Sequence, residues 1–298
     1  MQELNIHLKS RDNIVETFLY TRIYTQDDLA LGTSDRDVVI LIPGGPGNDC
    51  TMYDTPQNSI AKIFSTVVDV ILFDPRGCGK NAPSPIEHCS LENYIDDIEA
   101  IRQYFKIPPE KFIVFGQSYG SIAALGYAIK YADNLKKLLL ISAIASSEFI
   151  EQAKQDLESR GSIEQKKMAE RIWHGSFKNK NDLVKFCQIM GPLYSYSHSG
   201  QDDTELEIPC TINILNYGWG NFLKHFNFKP EIHKVNCPVL ILWGENEWLM
   251  GRKQAYEVHQ LIPSSRLVTY QKCGHMLWLD QWERFVDDSL AFFVEQYE

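Results

Sequence analysis

The sequence predicts an α/β fold in which a mostly parallel sheet is covered by helices on both faces. Short apolar runs rich in branched residues recur along the chain, and helical patterns separate most of them. The runs are nearly continuous in apolar residues, which is typical of strands buried on both faces of a parallel sheet. A third observation, one long stretch without a strong strand after about Ala145, predicts a helical insertion.

The predicted elements can be placed in order along the chain. At the amino end, LNIHLKS and IVETFLYTRIY flank Arg11, Asp12 and Asn13, which predicts an antiparallel hairpin at the sheet edge. The six predicted strands that follow are VVILIP (38–43), VDVILFD (68–74), KFIVFG (111–116), LKKLLLIS (135–142), CPVLILWG (237–244) and SRLVTYQ (265–271). The helices predicted between and after them are 90–105, 119–131, 252–261 and 281–297.

The stretch from 145 to 231, called the insertion below, differs from the rest of the chain. It carries helical patterns at 147–160 and 164–173, followed by an aromatic and glycine-rich passage that includes MGPLYSYSHSG and LNYGWGNFLKHF. We therefore predict a first core part at 1–144, a helical cap at 145–231 and a second core part at 232–298.

Composition and charge exclude several classes of protein. The chain has 298 residues and a formal net charge of −10, which opposes binding to nucleic acid or to an anionic membrane surface. The amino end, MQELNIHLKSRD, lacks the apolar region of a signal peptide, and no window approaches a spanning helix. These features predict a soluble, cytoplasmic protein that binds neither nucleic acid nor membranes.

The sequence also predicts that no metal or organic cofactor is needed. The seven cysteines are scattered and include no C-x-x-C pair, so neither a zinc site nor a disulfide framework is indicated. The glycine-rich loop LIPGGPG lacks the lysine of a phosphate-binding loop.

A serine lies between two glycines in FGQSYGS, after a predicted strand and before the alanine-rich helical pattern YGSIAALGYAIKYA. This pattern is typical of a nucleophile elbow, in which small neighbours allow a tight turn that lifts the hydroxyl out of the sheet. Ser118 is therefore the candidate nucleophile. A serine needs a base, an orienting acid and donors for the oxyanion, because its hydroxyl is a poor nucleophile unaided.

Candidates for these partners occur at the ends of other predicted strands. The glycines of LIPGGPG leave backbone N–H groups free, so Gly45 is one predicted oxyanion donor. The other is the N–H of Tyr119, the residue after the candidate nucleophile. His275, in KCGHMLWLD, lies on a loop between a strand and a helix and is the predicted base. For the acid, Glu245 and Glu247 both follow LILWG, and Glu148 after the preceding strand is an outside alternative.

Taken together, LIPGGPG, FDPRGCGKN, FGQSYGS, the acid after ILWG and the late CGH resemble the proline iminopeptidase branch of the α/β-hydrolase family. The resemblance covers 38–146 and 238 to the end, and it includes the tricorn-interacting aminopeptidases. It implies an α/β-hydrolase fold with Ser118 as nucleophile, His275 as base and Glu247 as acid. It also implies a supporting, non-catalytic role for Asp74 and Arg76.

Three features, at five positions, depart from the pattern of that branch. Pro43 stands where a histidine usually opens the oxyanion loop, and a glutamate, Glu247, replaces the usual aspartate. Where the branch has glutamates that bind the substrate's α-amine, this chain has Trp248 and the pair Asn216 and Tyr217. The departures concern the substrate more than the reaction.

The resemblance favours an aminopeptidase that releases N-terminal residues from short peptides through an acyl-enzyme. A small-molecule carboxylesterase is the alternative, and a ligand-binding protein without catalysis is the remaining hypothesis. Aromatic side chains are predicted to line the substrate pocket, with Tyr217, Trp219 and Trp248 as the contacts. The carboxylates of the insertion that could pair with a substrate ammonium are Glu148, Glu151, Glu205 and Glu207.

Overall fold

The computed structural model describes residues 1–9, 16–25, 31, 35–56, 58–197 and 208–296. Within these ranges one sheet of eight strands runs in the order β1-β2-β4-β3-β5-β6-β7-β8. The strands are β1 (Gln2–Lys9), β2 (Glu16–Tyr24), β3 (Val38–Ile42), β4 (Asp69–Phe73), β5 (Phe112–Gln117), β6 (Lys137–Ile141), β7 (Val239–Gly244) and β8 (Ser265–Tyr270). All six apolar runs therefore form strands, as predicted.

The sheet is parallel from β4 to β8, and β1 and β2 form its antiparallel edge. β1 pairs with β2 from Gln2 opposite Ile23 onward, and β2 then pairs antiparallel with β4. The edge hairpin is thus confirmed, although its turn, with Arg11, Asp12 and Asn13, lies outside the described residues.

Ten α-helices lie in the described ranges. They are α1 (Ile60–Phe64), α2 (Leu91–Tyr104), α3 (Tyr119–Lys130), α4 (Phe149–Arg160), α5 (Ile163–Trp173), α6 (Lys180–Tyr194), α7 (Ile212–Gly220), α8 (Arg252–Leu261), α9 (Leu277–Asp280) and α10 (Trp282–Val294). Helix starts follow from capping side chains. Ser90 caps α2, accepting from the Asn93 N–H at 3.2 Å, and Ser162 forms a capping box with Gln165 at the start of α5.

Helices cover both faces of the sheet, as the apolar strands predict. Val38, Ile40 and Ile42 of β3 pack in the core shared with α2, α3 and α8, whereas Val39 and Leu41 pack in the core shared with α1 and α10. Alternate residues of one strand face opposite ways, so a strand covered on both sides must be apolar at every position.

The insertion joins β6 to β7, and its described residues form α4, α5, α6 and α7. The aromatic and glycine-rich passage, which the sequence analysis separated from the helical patterns, is helical in part: MGPLY ends α6 and LNYGWG lies in α7. Close packing against α7 leaves no room for a side chain at Gly218, which explains a glycine inside this helix. A Cβ on Gly218 would lie 2.1 Å from Pro46 Cγ.

No helix in the described part of the chain is both long enough and apolar enough to cross a membrane.

A buried lysine ties the last helix to the sheet. Lys137, at the start of β6, is 1% exposed, and its Nζ donates to the carbonyl oxygens of Phe292 at 2.9 Å, Phe293 at 2.7 Å and Glu295 at 2.7 Å. These carbonyls belong to the last turn of α10 and the residue after it, where a helix lacks internal donors. A cation there also complements the helix dipole.

We expect Lys137→Met to lower the free energy of unfolding by about 3 kcal/mol, because three carbonyl oxygens lose their donor. Urea denaturation at neutral pH measures this. The matched control is Lys136→Met, which removes a half-exposed ammonium that pairs with Asp37 at 2.7 Å and should cost less than about 1 kcal/mol. Equal losses in the two variants would contradict the role given to Lys137.

Candidate active site

Ser118 occupies a strained turn between β5 and α3. Its backbone has φ 60° and ψ −126°. Residues other than glycine rarely adopt such a positive φ. The flanking glycines are required by close packing: a Cβ on Gly116 would lie 2.2 Å from the Gly120 carbonyl oxygen, and one on Gly120 would lie 2.3 Å from the Ile42 carbonyl oxygen. The structure therefore explains the spacing G-x-S-x-G by contacts within the turn and with β3.

His275 and Glu247 come together on the loops that follow β8 and β7. Their closest atoms, His275 Nδ1 and Glu247 Oε2, are 2.5 Å apart, and both residues are buried. Of the other two candidate acids, Glu245 is exposed, and Glu148 is exposed and forms an ion pair with Lys229 at 2.8 Å. Among the three carboxylates only Glu247 has the position expected of the orienting acid.

Glu247 is held in its ionised form. Burial alone raises the pKa of this carboxyl, but the charge of His275 and the hydrogen bonds from His275, the Ser142 hydroxyl and the Leu249 N–H outweigh burial and lower the pKa to about 2. An ionised carboxylate can only accept hydrogen bonds, so the proton of the pair lies on His275 Nδ1. In the neutral imidazole the other ring nitrogen, Nε2, carries no proton.

Ser142 connects this acid to the serine turn. It directly follows β6 with φ 56°, and its hydroxyl donates to Glu247 Oε2 at 2.7 Å. The Ser121 hydroxyl lies 2.7 Å from the Ser118 carbonyl oxygen and 3.0 Å from the Ser142 carbonyl oxygen. We predicted no role for either serine, although Ser121 ends the motif FGQSYGS, because contacts with residues far apart in the chain leave no local pattern.

The loop after β3 lies beside Ser118. A Cβ on Gly44 would lie 3.4 Å from Ser118 Cβ, and Gly45, with φ 112°, lines the cavity above the serine. Tyr119 is the first residue of α3, so its N–H has no acceptor within the helix. Gly45 and Tyr119 remain our proposed oxyanion donors.

A cavity of about 310 Å³ opens over Ser118 and His275. The insertion supplies most of its apolar lining: Ile172, Phe177, Leu183, Phe186, Leu215 and Trp219. Polar groups of the lining include Asn48, Gln117 and Ser195. Among the lining residues that the structure describes, none is Asp, Glu, Lys or Arg.

Only one of the three predicted substrate contacts lines this cavity. Trp219 does, but Tyr217 packs against Phe222 with ring centroids 5.7 Å apart, and Trp248 is fully buried behind Tyr194, 5.5 Å away. The predictions for Tyr217 and Trp248 are corrected accordingly. A tryptophan beside the acid belongs to the core because the Glu247 loop turns inward.

The apolar face of α6 lines the cavity and was not predicted. Leu183, Phe186 and Cys187 have the spacing i, i+3, i+4 of one helical face and line the cavity together. That spacing could have been used to predict the lining from the sequence. No such pattern marks Phe177, which lies in the connection between α5 and α6.

The predicted ammonium partners in the insertion do not lie in the described lining. Glu148 and Glu151 are exposed and pair with Lys229 and Lys154. Glu205 and Glu207 lie outside the described residues.

Asp74 and Arg76 form structural contacts instead of facing Ser118 across the cavity. Asp74 accepts from the N–H groups of Cys50 at 3.0 Å and Lys80 at 2.8 Å, and Arg76 makes two 2.7 Å hydrogen bonds with Asp97. In the described part of the chain no group of three or more His, Cys, Asp or Glu side chains is placed to hold a metal ion.

The sheet, the serine turn and the Glu247–His275 pair define an α/β-hydrolase, and comparison with known proteins agrees. The family model for the alpha/beta hydrolase fold matches residues 37–281, so this chain belongs to the α/β-hydrolase family.

Similar proteins include hydrolases of known sequence and structure. The proline iminopeptidase PfmaB of Pestalotiopsis fici is 26% identical over 262 residues, which cover 84% of this chain and 89% of that protein. A proline iminopeptidase of Chitinophaga pinensis is 29% identical over 285 residues, covering 89% and 92%. An α/β fold family hydrolase from Bacillus anthracis matches in structure with a TM-score of 0.74 at 17% identity, covering 99% and 100%, and this likeness concerns the fold alone.

We expect Glu247→Gln to lower kcat by about 10³- to 10⁴-fold, because a neutral amide cannot hold His275 in the required tautomer. Glu245→Gln is the matched control and should behave like the unchanged enzyme, since that side chain is exposed. Both are measured with a chromogenic acyl ester. A larger loss from the Glu245 variant would reverse the assignment.

Proposed function

We propose that this protein is a serine hydrolase that works through an acyl-enzyme on Ser118, with His275 as the general base and Glu247 as the orienting acid. One observation carries the proposal: the strained serine and the imidazole of the buried Glu247–His275 pair line the same cavity. A histidine fixed by a carboxylate beside an elbow serine has the arrangement that acyl transfer requires.

The proposed reaction has two halves. Ser118 Oγ attacks a substrate carbonyl carbon while its proton passes to His275 Nε2, and the N–H groups of Gly45 and Tyr119 donate to the oxyanion. The intermediate then collapses, and the bond to the leaving group breaks as that group takes the proton from His275. In the second half, a water oxygen adds to the acyl carbon while one water proton passes to His275 Nε2. The bond between the acyl carbon and Ser118 Oγ then breaks, Oγ takes the proton back from His275, and the carboxylic acid leaves.

Ser118→Ala should reduce turnover by about 10⁴-fold or more while the fold is retained, because only a hydroxyl is removed. A fluorophosphonate probe should add one adduct to the unchanged protein, detected by whole-protein mass spectrometry, and none to this variant. Ser159→Ala, on the exposed side of α4, is the control and should be labelled normally. Labelling or turnover retained in pure Ser118→Ala protein would refute the nucleophile.

The lining supports an uncharged and largely apolar acyl group as the substrate. Placing an ammonium in this cavity without a partner costs several kcal/mol, and the described lining offers no carboxylate. The volume of about 310 Å³ suits a ring or a short acyl chain. We therefore propose a small carboxylic ester as the substrate class that this geometry supports best.

The second candidate is an aminopeptidase acting on N-terminal proline, and the relatives favour it. The matching proteins of Pestalotiopsis fici and Chitinophaga pinensis are both named proline iminopeptidases. This activity requires a carboxylate that binds the free amine of the substrate. The two candidates share the catalytic residues and differ in this one requirement.

A pair of substrates separates the candidates. We expect short acyl esters to be cleaved efficiently, and a proline amide with a free amino terminus to have no advantage over its N-acetylated form. The expectation follows from the uncharged lining, because no described carboxylate there could form an ion pair with the substrate's ammonium group. Initial rates with matched leaving groups provide the measurement. Much faster cleavage of the free-amine substrate would establish the aminopeptidase instead.

A further inference from the structure

Asp280, at the end of α9, collects five hydrogen bonds at the edge of the candidate site. Its carboxylate accepts a hydrogen bond from the N–H of Gly274 at 2.7 Å. Gly274 is the residue immediately before His275. The other four donors belong to the chain directly after α6: Ser195 Oγ at 2.6 Å, Tyr196 N–H at 3.0 Å, and Ser197 N–H and Oγ at 2.9 and 2.7 Å. One side chain therefore joins the histidine loop to the insertion.

A second set of hydrogen bonds joins the same two segments, with the histidine loop as donor and the end of α6 as acceptor. The Tyr194 carbonyl oxygen accepts from the His275 N–H at 2.7 Å and the Met276 N–H at 3.1 Å. The Tyr194 ring meets the imidazole edge-on, with centroids 5.3 Å apart. A Cβ on Gly274 would lie 2.6 Å from the Tyr194 carbonyl oxygen, so the two segments are in close contact. The backbone at 274–276 is thus hydrogen-bonded through three consecutive N–H groups.

The segment that holds the histidine loop is continuous with the wall of the cavity. Leu183, Phe186, Cys187, Gly191 and Tyr194 of α6 all line the cavity. A substrate that packs against α6 therefore contacts the same helix whose last carbonyl and following residues hold His275. The hydrogen bonds at Asp280 therefore join the residues after this helix to the loop that carries His275.

We propose that Asp280 is a positioning residue that holds the His275 loop against the end of α6. The inference rests on the proposed function, because it concerns the base of that reaction. Asp280 need not touch the substrate; it acts through the backbone of Gly274 and through residues 195–197. Displacing a catalytic group by about 1 Å can cost 10²-fold in rate.

The carboxylate form of Asp280 matters to this arrangement. Burial raises the pKa of Asp280, but the hydrogen bonds from Gly274, Ser195, Ser197 and Tyr196 outweigh it and lower the pKa below the ordinary value. Both carboxylate oxygens accept. An asparagine has one accepting oxygen and would turn an NH₂ group towards N–H or O–H donors.

The test compares Asp280→Asn with Asp288→Asn in the full-length protein. Asp288, on α10, is also a carboxylate that accepts a hydrogen bond, from the Tyr270 hydroxyl at 2.5 Å, but it does not belong to the site. We expect Asp280→Asn to lower kcat for an acyl ester by about 10- to 100-fold with little change in KM. We also expect a proportionate fall in the fluorophosphonate labelling rate, and no such changes in the control.

A spectroscopic readout separates positioning from a loss of stability. The proton between His275 Nδ1 and Glu247 should give a strongly downfield NMR signal in the unchanged protein, and this signal should shift or broaden in Asp280→Asn. If that variant fails to fold, Ser197→Ala, which removes one of the five bonds, provides the milder case. It should show a smaller loss of kcat in the same direction.

The outcomes distinguish this inference from the proposed function. If the unchanged protein reacts with neither esters nor the probe, the serine hydrolase proposal fails first. If it reacts at Ser118, but Asp280→Asn retains both the kcat and the downfield signal, the positioning role is overturned while the hydrolase stands. A loss of stability in Asp280→Asn without a change in kcat would also overturn it.

Discussion

The close contact between the end of β3, the end of β5 and the first turn of α3 is the constraint on which the candidate site depends. Neither Gly116 nor Gly120 has room for a Cβ, and between them Ser118 is held in the left-handed region. This contact places Ser118 in the lining of the cavity and starts α3 at Tyr119, whose N–H has no acceptor within the helix. It also brings the loop after β3 beside Ser118, so the nucleophile and both proposed oxyanion donors follow from a single packing arrangement.

Glu247 and His275, the proposed acid and base, are attached to that turn by hydrogen bonds that cross three strand ends. Ser121 lies between the carbonyl oxygens of Ser118 and Ser142, and the Ser142 hydroxyl donates to Glu247. The Leu249 N–H binds the other carboxylate oxygen at 2.8 Å. These two donors, one on each carboxylate oxygen, hold Glu247 against His275. Such a network fixes one geometry because each buried polar group has its partner.

The insertion contacts both loops that serve the proposed chemistry. On one side, residues 194–197 bind the histidine loop. On the other, the Thr211 N–H donates to the Gly47 carbonyl oxygen at 2.8 Å, and the Asp49 N–H donates to the Pro209 carbonyl oxygen at 3.0 Å. The helices that would select the substrate are therefore bonded to the groups that would transform it. We propose on this basis that the insertion acts as the cap over Ser118.

The amino-acid sequence was enough to predict the sheet, most helices, the serine turn and the histidine, because each depends on local rules: apolar runs for buried strands, helical periodicity, and glycines where a turn excludes side chains. It left Glu245 and Glu247 as equal candidates from the residues alone. The folded chain distinguishes them, because Glu247 is buried beside His275 whereas Glu245 is exposed. The same holds for Tyr217 and Trp248, for Ser142, and for Asp280, whose positions depend on contacts between residues far apart in the chain.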